Sequence, residues 1–163
     1  MKVGDIEIEF LGHSGFLIIC RDGKKIAIDP YNVSDKCPKV DLILITHSHY
    51  DHCSIKDIQK ISKTGAVIAV PPDAQSKITR IKNVEMQIVE LEDEFKFGNV
   101  KVSAVPAYNP NKKFHPKKEG WVGYLLTLGK VILYHAGDTD KIPEMTRLTG
   151  HSKHDNIFVV LLP

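Results

Sequence analysis

The apolar run Val40-Asp41-Leu42-Ile43-Leu44-Ile45-Thr46 leads directly into His47-Ser48-His49-Tyr50-Asp51-His52, and this junction constrains the chain more than any other stretch. A short continuous apolar run of this kind reads as a buried strand. Four side chains able to bind a metal then follow within six positions, so the strand end becomes a rigid arm that carries ligands. In an extended chain residues 47, 49 and 51 leave one face, while His52 sits where the chain has to turn. Such a cluster can serve one divalent ion or two adjacent ones. Imidazole suits zinc, iron and manganese, and the carboxylate adds the anionic character that favours a hydrolytic site carrying hydroxide.

Before this motif the chain reads as three short strands. Asp5-Ile6-Glu7-Ile8-Glu9-Phe10 alternates, with Ile6, Ile8 and Phe10 inward. Gly12-His13-Ser14-Gly15 breaks it, Phe16 to Cys20 forms the second strand, and Arg21-Asp22-Gly23-Lys24 turns into Ile26-Ala27-Ile28. Pro30 stops that ladder and leaves Asp29 at a strand tip, either as a turn residue or as a group at the site. After the motif, Ser54-Ile55-Lys56-Asp57 predicts a helix N-cap with an acidic third position, and Ile55, Ile58 and Ile61 share one helical face until Gly65. Ala66 to Val70 is a further buried strand stopped by Pro71-Pro72, and Asp73 is expected to cap a short helix bearing Ile78 and Ile81. The alternation of strand and helix predicts an α/β layer.

Val84 to Val89 and Phe95 to Val105 are expected to be strands of a second sheet, the latter pair turning at Gly98-Asn99. Glu90, Glu92, Asp93 and Glu94 read as a solvated loop, since no histidine neighbours them. Val105 to Lys118 is rich in proline and asparagine and holds four lysines, and a loop of that length in a compact chain is more often functional than idle. It reads equally as a substrate-facing wall or as a solvated basic loop. In the first case Tyr108, Phe114 and Trp121 give apolar contact and the lysines attract an anion. Trp121 to Leu128 and Val131 to Tyr134 predict a hairpin around Gly129-Lys130, with His135-Ala136-Gly137-Asp138-Thr139-Asp140 at its tip. Ile142 to Leu148 is expected to be a short helix with Pro143 in its first turn, and Ile157 to Leu162 the last strand.

The 163 residues, 42% hydrophobic and 26% charged, suffice for one domain spanning 1–163, and no repeat or flexible linker divides them. A formal net charge of +2 argues against a strongly basic nucleic-acid surface. Cys20, Cys37 and Cys53 form no C-x-x-C pair and are odd in number, which argues against a disulfide framework and for a reducing cytoplasm. The N-terminus carries no apolar signal-peptide core and no apolar stretch approaches the length of a membrane span, so neither secretion nor insertion is expected.

His-x-His-x-Asp-His behind such a strand resembles the signature of the metallo-β-lactamase superfamily. The early Gly-His-Ser-Gly and Ile-Asp-Pro segments, Pro-Ala-Tyr-Asn, and Tyr-His-Ala-Gly-Asp-Thr-Asp extend the likeness over nearly the whole chain. Within that superfamily it is most similar to the zinc-dependent hydrolases related to the ascorbate-6-phosphate lactonases. The resemblance implies an α/β fold, an αββα sandwich with two sheets face to face, helices outside, and the site along one sheet edge. With Pro163 as the last residue, the final helix and strand of that pattern and its last histidine ligand are expected to be missing.

The resemblance also implies ligand roles. His47 and His49 would bind a first metal, Asp51 and His52 a second, and Asp138 would bridge them, with Asp29 supporting the loop from behind. The first metal's third ligand would be His115, although Asn109 stands nearer the place where the pattern has a histidine. His151, His154 or a partner chain are the candidates for the last ligand, unless the second metal is weak or absent. His13 and His135 read as packed or supporting residues, and Cys53 as a small buried hydrophobe.

The expected function is therefore that of a metal-dependent hydrolase holding one or two zinc ions, with manganese or iron as alternatives. Such ions lower the pKa of a bound water from ~15.7 toward ~7. Asp51 and Asp138 would act catalytically, orienting that water and accepting its proton. Ester, lactone, amide and phosphodiester cleavage share this chemistry, and the lysine loop favours a small anionic substrate. The rival readings are a nuclease or phosphodiesterase acting on nucleic acid and a non-catalytic metal-binding protein with a degenerate second site.

Overall fold

A computed structural model describes residues 1–151 and 155–162. The chain divides into two compact units, Met1–Val89 and Glu90–Pro163, each built on its own sheet.

The first unit begins as a meander: β1 (Lys2–Val3), β2 (Ile6–Gly12), β3 (Gly15–Ile19) and β4 (Lys25–Ile28) pair antiparallel in order. Then the direction rule changes. β5 (Val40–Leu44), β6 (Ser62–Val70) and β7 (Val84–Ile88) add in parallel. Parallel neighbours need a crossover, and α1 (Ile55–Ile61) and α2 (Gln75–Ile78) lie in the two connections. β5 is a buried interior strand, with Val40, Leu42, Ile43 and Leu44 closed to solvent, as its largely apolar run requires.

The helix α1 starts where its sequence says. Ser54 is the N-cap, its hydroxyl accepting from the Asp57 amide. Ile58 and Ile61 then pack into a core with Leu17, Ala27, Ile43 and Ile68. Burying each isoleucine contributes about 1.5–3 kcal/mol.

Four expectations for this unit are corrected. Phe10, expected inward, is 59% exposed, the alternation of β2 ending where its register with β3 shifts between Phe10 and Gly12. The helix ends at Ile61, not at Gly65: Ser62 is already extended and pairs with Val40, and the strand then bulges through Gly65, at φ 79°, before Val67 meets Leu42. Asp73 caps no helix, because it lies inside a 3-10 turn, Pro72–Ala74, and α2 follows without a side-chain cap. Val84 to Ile88 belongs to the first sheet, not a second, since the crossover through α2 returns the chain parallel to β6, Ala66 facing Val84 and Val70 facing Ile88.

In the second unit β8 (Glu94–Phe97), β9 (Val100–Pro106), β10 (Val122–Leu128) and β11 (Val131–His135) form an antiparallel set, and β12 (Ile157–Leu161) joins β11 in parallel. Gly98 and Gly129 take positive φ in the two hairpin turns, as the sequence predicts. Gly123 is required for a different reason: a Cβ there would stand 2.6 Å from the His135 carbonyl and 2.7 Å from that of Ala136. The expected helix over Ile142 to Leu148 is instead a 3-10 segment, Pro143–Gly150. Its apolar residues, Met145 and Leu148, are spaced by three, the period at which 3-10 side chains stack, and both pack against Leu125, Ile132 and Tyr134. Among the described residues no helix is long and apolar enough to cross a membrane.

Candidate metal centre

Asp29 follows β4 with its backbone at φ 42°, its amide bonded to the Leu44 carbonyl and its side chain closed to water. One carboxylate oxygen accepts from the Thr46 amide at 2.8 Å, and the other accepts from the Thr46 hydroxyl at 2.5 Å and from Nδ1 of His52 at 2.8 Å. The Thr46 hydroxyl, having given its proton to Asp29, accepts in turn from Nδ1 of His47 at 2.9 Å. Asp29 thus orients two imidazoles, one directly and one through Thr46. In both rings Nδ1 is held from behind, which leaves Nε2 as the nitrogen that could take a metal, the arrangement that supports histidine ligands generally. The ring centroids of His47 and His52 lie 4.0 Å apart.

His47 and His49 meet as expected: Nε2 of the first is 3.1 Å from Nδ1 of the second. Two donors bound at about 2.0–2.1 Å to one tetrahedral ion stand about 3.3–3.4 Å apart. The extended face ends at His49, however. The amides of His52 and Cys53 both bond to the His49 carbonyl, so Tyr50 to His52 is a turn. The turn sends Asp51 to a different neighbour, His13, whose Nε2 is 3.3 Å from Asp51 Oδ2. One ligand atom from each of His13, Asp51 and His52 lies within 4.8 Å of the others.

The loop is braced from two further sides. Asp57 accepts from the amides of Asn32 and Val33 and from the Ser54 hydroxyl, tying the segment after β4 to the start of α1. Lys77 of α2 donates to the Ser48 carbonyl.

In the second unit His115 Nε2 lies 3.6 Å from Asp138 Oδ2, and the His115 ring packs edge-on against Trp121. Asn109 does not take that place: its side-chain amide donates to the Phe114 carbonyl, and its backbone amide to that of His115. The Thr139 hydroxyl donates to the Tyr108 carbonyl and accepts from the Tyr108 amide, clamping the long loop to the segment that carries Asp138. Glu144 accepts from Tyr108 and from Lys117, and Lys112 pairs with Asp140.

The remaining candidates separate cleanly. Cys53 is 2% exposed, and burial pushes its thiol up to about 11, so it is packing and not a thiolate ligand. His135 is fully buried and takes a hydrogen bond from the Gly137 amide at Nδ1. His151 stacks on Phe158. His154 lies outside the described residues. Sequence reasoning missed Thr46 as a relay and His13 as the neighbour of Asp51. The signal for His13 was its place: like Asp29, it follows directly on a strand.

A donor set of imidazole nitrogens and carboxylate oxygens, with the imidazoles held from behind and adjacent donors at ligand–ligand separations, fits a divalent ion of borderline character. It offers no sulfur.

The comparisons agree with this chemistry. Residues 7–163 match the model of the beta-lactamase superfamily domain. A UPF0173 metal-dependent hydrolase of Pyrococcus furiosus is 33% identical over 97% of this chain and 72% of its own length. One from Thermodesulfovibrio yellowstonii is 31% identical over 97% and 68%. The crystal structure of a Parabacteroides distasonis protein named as a metal-dependent hydrolase superposes with a TM-score of 0.78 at 33% identity over 87% of this chain, which spans 64% of the length of that one. CmlA, a diiron beta-hydroxylase of Streptomyces venezuelae, shares the fold alone, with a TM-score of 0.73 at 18% identity over 98% of this chain and 34% of its own. With two mixed sheets and few helices, the chain has the metallo-β-lactamase type of α/β fold and belongs to the beta-lactamase superfamily, in the family of the UPF0173 metal-dependent hydrolases.

Proposed function

We propose that this chain is a metal-dependent hydrolase of small ester, lactone or phosphodiester substrates, with an anionic group favoured. The observation that carries the proposal is the orientation of His47 and His52: Thr46 and Asp29 hold both Nδ1 atoms, which leaves Nε2 of each ring for a metal, and the two ring centroids lie 4.0 Å apart. In this reading His47 and His49 would hold one ion and Asp51 and His52 a second, while His115 and Asp138 would supply the donors of the second unit. Zinc fits the donors best, with manganese and iron as alternatives. When bound, such an ion supplies an acidified water and a Lewis acid at the oxygen under attack. Asp51 and Asp138, each part-exposed beside a histidine, orient that water and take its proton. Lys112 and Lys117 are engaged with carboxylates, which leaves the exposed Lys113 and Lys118 to attract an anionic substrate group. Three cysteines outside any disulfide are in keeping with a reducing cytoplasm.

The test is a substrate panel on the full chain, stripped of metal and reloaded with zinc, manganese or iron. It contains an aryl ester, a lactone, an aryl phosphodiester and single-stranded RNA. Metal-dependent turnover of one of the first three, lost in a folded Asp51→Ala variant, is expected. Turnover of RNA alone would move the reading to a nuclease. Inactivity on every substrate, with sub-stoichiometric metal, would leave a non-catalytic protein.

A further inference from the structure

The turn Gly12-His13-Ser14-Gly15 is more elaborate than a two-strand connection needs. His13 holds φ 52°, a left-handed conformation uncommon outside glycine, next to Gly12 at φ 107°. Gly15 lets the turn lie flat on the Asp29 backbone, where a Cβ would come within 3.0 Å of the carbonyl oxygen. Ser14, 1% exposed, places its hydroxyl 3.0 Å from Nδ1 of His13. That contact holds one ring nitrogen from behind and directs the other, Nε2, to Asp51 Oδ2 at 3.3 Å. The same ring meets His52 edge-on, with centroids 5.2 Å apart, and a second ring, Tyr31, backs it at 5.7 Å.

The His13–Asp51 contact, with the histidine side chain 41% exposed, contributes little by itself. Ligation explains the whole arrangement. Two donors at about 2.0–2.2 Å from a tetrahedral ion stand about 3.3–3.6 Å apart, and the observed 3.3 Å falls in that range. The Ser14 hydroxyl stands at Nδ1 of His13 as the Thr46 hydroxyl stands at Nδ1 of His47 and Asp29 at Nδ1 of His52.

We propose that His13 Nε2 is a direct ligand, with Asp51 and His52, of a divalent metal ion of the zinc class at the tip of β2. The inference rests on the metal-dependent reading above and adds to it a ligand that reading does not use.

Its test is calorimetric titration of the full chain with Zn²⁺ and the visible spectrum of Co²⁺ bound in its place. His13→Gly is the variant of choice, since glycine accepts the left-handed backbone at no cost, and His13→Asn, whose side chain also tolerates it, guards against misfolding. Loss of a supporting partner costs about 10–100-fold in metal affinity, and Ser14→Ala should fall in that window. Both His13 variants should lose more than Ser14→Ala and change the Co²⁺ spectrum, and added imidazole should restore affinity and spectrum to His13→Gly. Wild-type affinity in His13→Gly, or a loss no larger than that of Ser14→Ala without imidazole rescue, overturns the assignment while leaving the metal-dependent reading in place. A wild-type chain that binds neither Zn²⁺ nor Co²⁺ overturns both.

Discussion

Oδ2 of Asp29 lies 2.8 Å from Nδ1 of His52, and with side chains 0% and 1% exposed the pair is sealed from water. A carboxylate buried at that depth is stable only when its oxygens are fully used, and here Thr46 uses the rest. The relationship makes Asp29 the buried acceptor that fixes Thr46 and His52 together.

Asp29→Asn should therefore retain the backbone, because asparagine tolerates φ 42°, yet turn an amide donor toward groups that need an acceptor. The expected loss is about 10–100-fold in zinc affinity, with about 1–3 kcal/mol of stability from the unmet buried groups. Zinc titration and thermal melting check both, and unchanged affinity would refute the role.

Gly123→Ala tests the second unit in the same way. The new methyl would meet the His135 and Ala136 carbonyls at 2.6 and 2.7 Å, backbone that can yield only by moving the end of β11. Overpacking of this kind costs about 1–3 kcal/mol, and a chemical denaturation curve identical to wild type would contradict it.

Glu144 gives a pH signature. Its hydrogen bond from Lys117, then backbone and Tyr108 donors, hold its carboxyl down at about 2 from an ordinary 4.5. A lowered folded value means the contribution is complete above about 4.5 and disappears as pH falls toward 2. Glu144→Gln should melt below wild type at pH 7, and the gap should close near pH 2; a gap independent of pH would show that charge is not involved.

The thiols should be slow to react. Burial, the largest cause, pushes Cys20 and Cys53 up to about 11 and raises Cys37 as well. At pH 8 iodoacetamide should modify the folded chain far more slowly than the chain in guanidinium, and rapid labelling of Cys53 in the native state would contradict the packing described.

Much of this was legible in the sequence because strands announce themselves by period and their ends by glycine, proline and aspartate. The strand from Val40 that leads to His47 and His49, the strand end at Asp29 before Pro30, and the hairpin ending at His135 read correctly on that basis. Sheet membership did not. Whether Val84 to Ile88 pairs with β6 depends on a crossover helix of only four residues, too short to show a period. The 3-10 segment after Pro143 carries an apolar spacing of three, which an α-helical reading absorbs without protest. His13 was harder still. A single histidine has no spacing signature, and it meets Asp51 only because Tyr50 to His52 turns back on His49, a local hydrogen-bond choice that alternation along the chain does not encode.

The central claim is that the donors at these strand ends hold a catalytic metal, and metal content tests it most directly. Elemental analysis of the full chain, reloaded with zinc and dialysed, should find at least one equivalent bound in wild type and a clear loss in His49→Ala, whose half-buried ring sits 3.1 Å from that of His47. A wild-type chain that keeps no zinc, manganese or iron after the same treatment would contradict the account.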